Sequence, residues 1–207
     1  MATWFTYCAA GTTGRLAKFR KALSETQVQS SEDSEPRFDI SALKKNAYIS
    51  GLWKEALRLG SASAAARVVM EETELEGYVV KKGSVLLMPV QLMHFDEEVF
   101  PQPEEIRPER WILDDPNDPK QLEQQKRQNS ALRSFGGGTG LCSGRFVAEE
   151  EILNVVSTLL WKYDIDFGHG TAAYNFNPRS IGVMSPSTNP IVQIRRRTTS
   201  EETIEQQ

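Results

Sequence analysis

Cysteine and histidine are scarce in this chain, and it has neither a basic excess nor a long apolar run. Its 207 residues hold two cysteines, Cys8 and Cys142, set far apart. So few exclude a disulfide-rich scaffold and a four-cysteine zinc site. The two histidines, His94 and His169, have no motif around them. A cysteine nucleophile would therefore lack an evident base, which disfavours a thiol transferase or hydrolase. Asp and Glu number 28 against 24 Lys and Arg, a formal charge of −4. Nucleic-acid binders normally carry the opposite balance. No stretch approaches the roughly 20 continuous apolar residues of a membrane-spanning helix. The opening MATWFTYCAAG lacks the basic start and long apolar run of a signal peptide, so a reduced, intracellular setting is expected.

What remains is globular. The hydrophobic share is 39%, near the average of folded chains and enough to build a core. Residues 2–24 read as helix, weakened in the middle by Gly11 and Gly14. Residues 25–37 are polar and acidic and read as a solvated loop. Helical character resumes near 42–45 and, more strongly, over 48–59. Residues 67–70 are β-rich, and 77–88 read as strand, turn, strand around Lys81-Lys82-Gly83. A short helix is expected within 89–98. Residues 99–144 show little periodicity and many Pro and Gly, with 114–130 a polar surface excursion; an irregular stretch of that length is often functional. Residues 145–162 return to helix, with Ile152, Val156, Leu159, Leu160 and Tyr163 as its apolar points. Residues 180–184 and 191–195 flank SPSTNP as a closing hairpin, and 196–207 read as a disordered tail.

Three short motifs carry chemistry. In FGGGTGLCSGR, Cys142 stands in a glycine-rich loop immediately before a helix. The positive end of a helix and its free N–H groups stabilise a thiolate, and glycines let successive amides turn toward it. Such a sulfur can ligate iron or act as a nucleophile; a structural cysteine in a flexible loop is the plain alternative. A phosphate-binding loop is disfavoured, because no Gly-Lys-Ser/Thr follows. The second motif is Glu55-Ala-Leu-Arg58, whose spacing puts carboxylate and guanidinium on one helix face. The third is Pro108-Glu109-Arg110-Trp111, after FPQPEEIR. Taken singly, the second reads as a surface pair and the third as a charged turn.

Taken in order, an E-x-x-R helix, a strand pair, P-E-R-aromatic, then F-x-x-G-x-x-x-C-x-G and a helix resemble the cytochrome P450 superfamily of haem-thiolate monooxygenases. The likeness runs from about Ile49 to the final strand segment. The FGGG form and the HFDEEVF segment lean toward the sterol 7α-hydroxylase and prostacyclin-synthase-like branch. The fold the resemblance implies is mainly α with small β-sheets (α+β). It corresponds to the C-terminal, proximal haem-binding half, with the N-terminal half missing. Residues 1–195 would form a partial domain, with the haem signature at 135–145.

The resemblance also assigns roles. Cys142 matches the axial ligand to the iron of haem b, and an anionic sulfur there favours O–O cleavage. Phe135 matches the aromatic that shields the sulfur; Gly138 and Gly144 match glycines that let the loop approach the porphyrin. Glu55, Arg58 and Arg110 match a buried structural charge triad. Arg67 stands where the family often places a base against a haem propionate; a solvated arginine at a strand start is the alternative. Residues 61–64 and 182–184 match segments bordering the substrate pocket.

The sequence also departs from the family pattern. Gly140 replaces the Arg or His that many members direct at a propionate. The distal acid–alcohol pair has no match: Gly14 stands where a threonine is needed, and residues 2–10 read as the tail of the helix that carries it. No catalytic residue is therefore assigned in this chain. The implied activity is insertion of one oxygen atom of O₂ into a small lipophilic substrate, with electrons from a reductase. Full-length relatives reside at the endoplasmic reticulum membrane; this chain, without an anchor, is expected to be soluble or peripheral. An isolated fragment is expected to be inactive, and the alternative is a non-catalytic remnant with weak or no haem binding.

Overall fold

The computed structural model describes residues 1–28, 37–167, 182–184 and 192–197. In chain order these form α1 (Ala2–Ala10), α2 (Thr13–Ser24), β1 (Gln27–Val28), β2 (Arg37–Phe38), α3 (Ile40–Lys45), α4 (Ala47–Gly60), β3 (Ser61–Ala62), β4 (Ala64–Val68), β5 (Thr73–Leu75), β6 (Tyr78–Val80), β7 (Val85–Pro89) and α5 (Val90–His94). A 3-10 turn at Pro108–Trp111 follows, then α6 (Pro119–Ala131) and a second 3-10 turn at Gly138–Gly140. α7 (Arg145–Lys162), β8 (Tyr163–Asp166), β9 (Gly182–Val183) and β10 (Gln193–Arg196) complete the described elements. Helices dominate, and the strands pair in small antiparallel two-stranded sheets.

Side chains set the helix starts. Thr12, Asp39, Asn46 and Asp118 accept hydrogen bonds from the first free backbone N–H groups of α2, α3, α4 and α6. The break at Gly11 and Thr12 divides α1 from α2, so the Thr12 hydroxyl is engaged as a cap. α4 is the central helix. Ile49, Leu52, Trp53 and Ala56 pack with Phe5 and Cys8 of α1, Phe19 and Leu23 of α2, Leu43 of α3, and Leu153, Val156 and Leu160 of α7. Phe5 meets Phe19 and Trp53 edge-on, with ring centroids 5.9 Å apart in each pair, an arrangement favoured by the ring quadrupoles.

Some expectations about pairing change. The strands of 77–88 do not pair with each other. β6 pairs with β5, and β7 pairs with β4 in the register Arg67 to Leu86. The closing hairpin is also replaced: β9 pairs with β3, and β10 with β8, while residues 180, 181 and 185–191 lie outside the described residues. Residues 25–37 contribute the β1–β2 pair at their ends, and 29–36 lie outside the described residues. Arg196 closes β10, so the expected tail starts inside a strand; 198–207 are outside the described residues. The polar segment 114–130 holds all but the last residue of α6, a helix whose one buried residue is Gln128. Amides rather than an apolar face dock it: Gln124 and Gln128 donate to the Val99 carbonyl, and Gln125 to that of Trp111. α7 runs over 145–162 as its periodicity implies, with Leu153 and Ser157 buried beside Val156 and Leu160. Among the described residues no helix is long and apolar enough to cross a membrane.

Candidate functional site

The last turn of α4 organises the site. The final carbonyls of a helix have no partner within it and must find donors elsewhere. Here the Leu57 carbonyl accepts from the hydroxyls of Ser61, at 2.6 Å, and Ser134, at 3.0 Å. The Arg58 carbonyl accepts from Nδ1 of His94 at 2.9 Å, and the Gly60 carbonyl from the Met184 amide at 2.8 Å. Ser134 begins the glycine-rich loop, so the loop is anchored to α4 at its start.

Beyond Ser134 the loop folds back on itself. Gly136 and Gly138 have φ of +79° and +58°, a region that favours glycine. The Cys142 amide donates to the Phe135 carbonyl at 3.0 Å, which closes the loop, and the Arg145 guanidinium holds the Cys142 carbonyl at 2.9 Å. Cys142 is exposed. A Cβ at Gly144 would lie 3.8 Å from its sulfur, so the turn into α7 lies against Sγ. No side chain caps α7. Cys142 forms part of the wall of a cavity of about 430 Å³, together with Trp53, Leu57, Val90, Phe135 and Ile152. Ser61, Ser63 and Ala64 line it from β3 and the start of β4, and Gly182 and Val183 from β9, the partner of β3, so residues of the two expected pocket segments line one cavity. Phe135 is half-buried in this wall, while Gly138 is exposed in the loop.

Arg67 projects from β4 and is exposed. Its Nη1 donates to the Ala66 carbonyl, and its Nη2 lies 2.9 Å from where a Cβ at Gly140 would stand. The guanidinium thus occupies the space that a side chain at position 140 would need.

Glu55, Arg58 and Arg110 meet behind the loop. Arg58 and Glu55 are fully buried and joined by two hydrogen bonds of 3.0 Å, Nε to Oε1 and Nη2 to Oε2. The other Arg58 hydrogen bonds reach the carbonyls of His94, Pro103 and Glu105. Arg110 approaches Glu55 Oε1 with its Nε at 3.2 Å as an ion pair, and its Nη groups hold the carbonyls of Pro101, Gln102 and Glu105. Two further donors to Glu55 are not marked by the motif spacing: the Trp111 indole N–H to Oε1 and the Arg107 amide to Oε2, each at 2.9 Å. A buried tryptophan next to the P-E-R motif needs a partner for its N–H, and that was the available signal.

The two possible general bases are not placed to serve Cys142. His94 is fully buried; Nδ1 faces the Arg58 carbonyl and Nε2 accepts from the Arg133 amide at 3.0 Å. Burial, with a smaller contribution from the Arg58 charge, lowers its pKa from 6.5 to about 4, so the ring is neutral. His169 lies outside the described residues. Cys8 is fully buried in the core, where desolvation pushes its thiol pKa far up. Among the described residues no cluster of three or more His, Cys, Asp or Glu is arranged to hold a bare metal ion.

The family model described as cytochrome P450 matches residues 18–194. The chain belongs to the cytochrome P450 family. It is 33% identical over 139 residues to a cytochrome P450 monooxygenase, FrzL, of Cladobotryum sp, a match covering 66% of this chain and 24% of that protein. It is 35% identical over 130 residues to the cyclooctat-9-en-7-ol 5-monooxygenase of Streptomyces melanosporofaciens, covering 62% of this chain and 26% of that one. The match to cytochrome P450 27C1 of Danio rerio is 32% over 142 residues, 68% of this chain and 25% of that protein. The chain therefore spans about a quarter of the length of the curated P450 relatives it matches.

Proposed function

We propose that this chain is the C-terminal, proximal haem-binding part of a P450 monooxygenase, with Cys142 as the axial thiolate of haem b. One observation carries the reading: Cys142 lies in the wall of a largely apolar cavity, on a loop closed by its own amide and tied to α4. The donor set fits the group. One sulfur cannot hold a bare ion, but it suffices where a macrocycle supplies the other ligands. Phe135 would shield the sulfur from water, and Gly138 and Gly144 would leave room for the macrocycle. Arg67 would meet a propionate across Gly140. Glu55, Arg58 and Arg110 hold the segments behind the loop and touch no reactant. When bound, the haem supplies activation of O₂ for insertion of one oxygen atom into a lipophilic substrate, with electrons from a reductase. Trp53, Leu57, Val90 and Ile152 make the wall largely apolar, and the small side chains of Ser61, Ser63 and Ala64 leave room for such a substrate. The FGGG loop supports the sterol 7α-hydroxylase and prostacyclin-synthase-like branch. Residence of the complete protein at the endoplasmic reticulum belongs to the same proposal.

A second reading, a chain that holds haem weakly or not at all, is favoured by its exposed apolar side chains. Tyr78 is 77% exposed, Leu87 67% and Phe146 54%, as expected where further chain normally covers a surface. The acid–alcohol pair also lacks a match, so the isolated chain is expected not to turn over substrate. Titration of haemin into the wild-type chain, Cys142→Ala and Cys8→Ala separates the readings. A thiolate-type ferric spectrum in wild type and Cys8→Ala, absent from Cys142→Ala, supports the ligand assignment. Loss in Cys8→Ala alone, or no specific haem spectrum in any of the three, would overturn it.

A further inference from the structure

His94 has no part in the chemistry proposed above, yet it is fully buried and both ring nitrogens are engaged. Its two partners belong to different parts of the site. Nε2 accepts from the Arg133 amide at 3.0 Å, so the ring proton lies on Nδ1, which donates to the Arg58 carbonyl at 2.9 Å. Arg58 reciprocates, donating from Nη1 to the His94 carbonyl at 3.0 Å. Residues 58 and 94 are thus clasped twice, and the ring extends the clasp to residue 133. One residue later Ser134 docks on the Leu57 carbonyl, and one further on Phe135 accepts from the Cys142 amide.

We propose that His94 is a positioning residue that fixes the cysteine loop against the last turn of the charge-bearing helix α4, and so sets where Cys142 is presented. The functional half of this inference rests on Cys142 being the haem ligand; the structural half does not. The imidazole spans the gap because its two nitrogens point in opposite directions, one a donor and one an acceptor. No other neutral side chain offers that pairing across a rigid ring. Neutrality is required, since a protonated Nε2 would confront the Arg133 N–H with a second donor. Its burial next to Arg58 maintains that neutrality.

Two variants divide the ring between them. Gln places an acceptor near the Nε2 position and loses the donor; Asn places a donor near Nδ1 and loses the acceptor. With ¹⁵N-histidine, NMR of the full 207-residue chain should show His94, assigned by its loss in His94→Gln, as the neutral Nδ1–H tautomer. Amide exchange at Arg133 should be slow in wild type and His94→Gln and faster in His94→Asn. After haemin loading, the thiolate spectral form should decay roughly tenfold faster in His94→Asn than in His94→Gln, reflecting the part-buried Arg133 N–H left without its acceptor. An Nε2–H tautomer, or equal Arg133 protection in the two variants, would overturn the tie. Equal thiolate decay in the two variants, despite different Arg133 protection, would overturn its role in presenting Cys142. If wild type binds no haem through sulfur, the ligand assignment fails, while the tautomer and exchange results still decide whether His94 joins the loop to α4.

Discussion

Glu55 accepts four hydrogen bonds on its two oxygens while wholly removed from water, and Arg58 donates five. A charge pair of this kind is tolerated because each lone pair and N–H finds a partner; removing one member leaves the other stranded. Glu55→Gln is therefore expected to cost about 3–5 kcal/mol in chemical denaturation. Trp111→Phe, which removes one donor to the carboxylate, should cost about 1–3 kcal/mol. His94 adds a pH dependence. Its folded pKa of about 4 lies below its ordinary 6.5, so the unfolded chain binds more protons between those values. The stability it contributes is complete above about pH 6.5 and is lost as pH falls toward 4. Denaturation midpoints at pH 7 and pH 5 should differ more in wild type than in His94→Gln. At the rim of the loop, Gly140→Ala would displace the Arg67 guanidinium. If Arg67 anchors a propionate, Gly140→Ala and Arg67→Ala should each weaken haemin binding by roughly ten- to a hundredfold. The double variant should be little worse than either, the sign of a shared contact.

Elements were legible in the sequence where an apolar stripe or a cap marked them. α7 shows its period at Val156 and Leu160, and α4 at Ile49, Leu52, Trp53 and Ala56. α6 has no apolar stripe because its docking groups are glutamines, so periodicity could not reveal it; Asp118 followed by Pro119 was the usable start signal. Strand positions near 64–89 were readable, but not their partners. Pairing depends on which strands the chain brings together, and β7 returns to β4 past the intervening β5–β6 hairpin. For the site, Cys142, Glu55, Arg58 and Arg110 stood out through motif spacing. The bond from Trp111 to Glu55 and the role of the His94 ring did not, since their partners are a carboxylate distant in sequence and backbone atoms. Close approach between elements is equally silent in a single sequence. A Cβ at Gly51 would run into the Pro108 carbonyl, so α4 and the P-E-R-W turn meet backbone to backbone. Gly51→Ala should force them apart and lower stability by about 1–3 kcal/mol, as overpacking generally does.

At the scale of the whole molecule, one core on α4 supports the loop in front and the charge cluster behind. Apolar side chains stay exposed on β6, β7 and the outer face of α7, where Tyr78, Leu87 and Val155 stand out. Tyr78, Leu87 and Val155 are not among the residues that line the Cys142 cavity. The central claim is that the Cys142 sulfur ligates haem iron. Its most direct test is the absorption spectrum of the haemin-loaded 207-residue chain, reduced under carbon monoxide. The account predicts the strongly red-shifted Soret band of a thiolate-ligated haem, abolished by Cys142→Ala. A Soret band typical of histidine or free haem in the wild-type chain would contradict it.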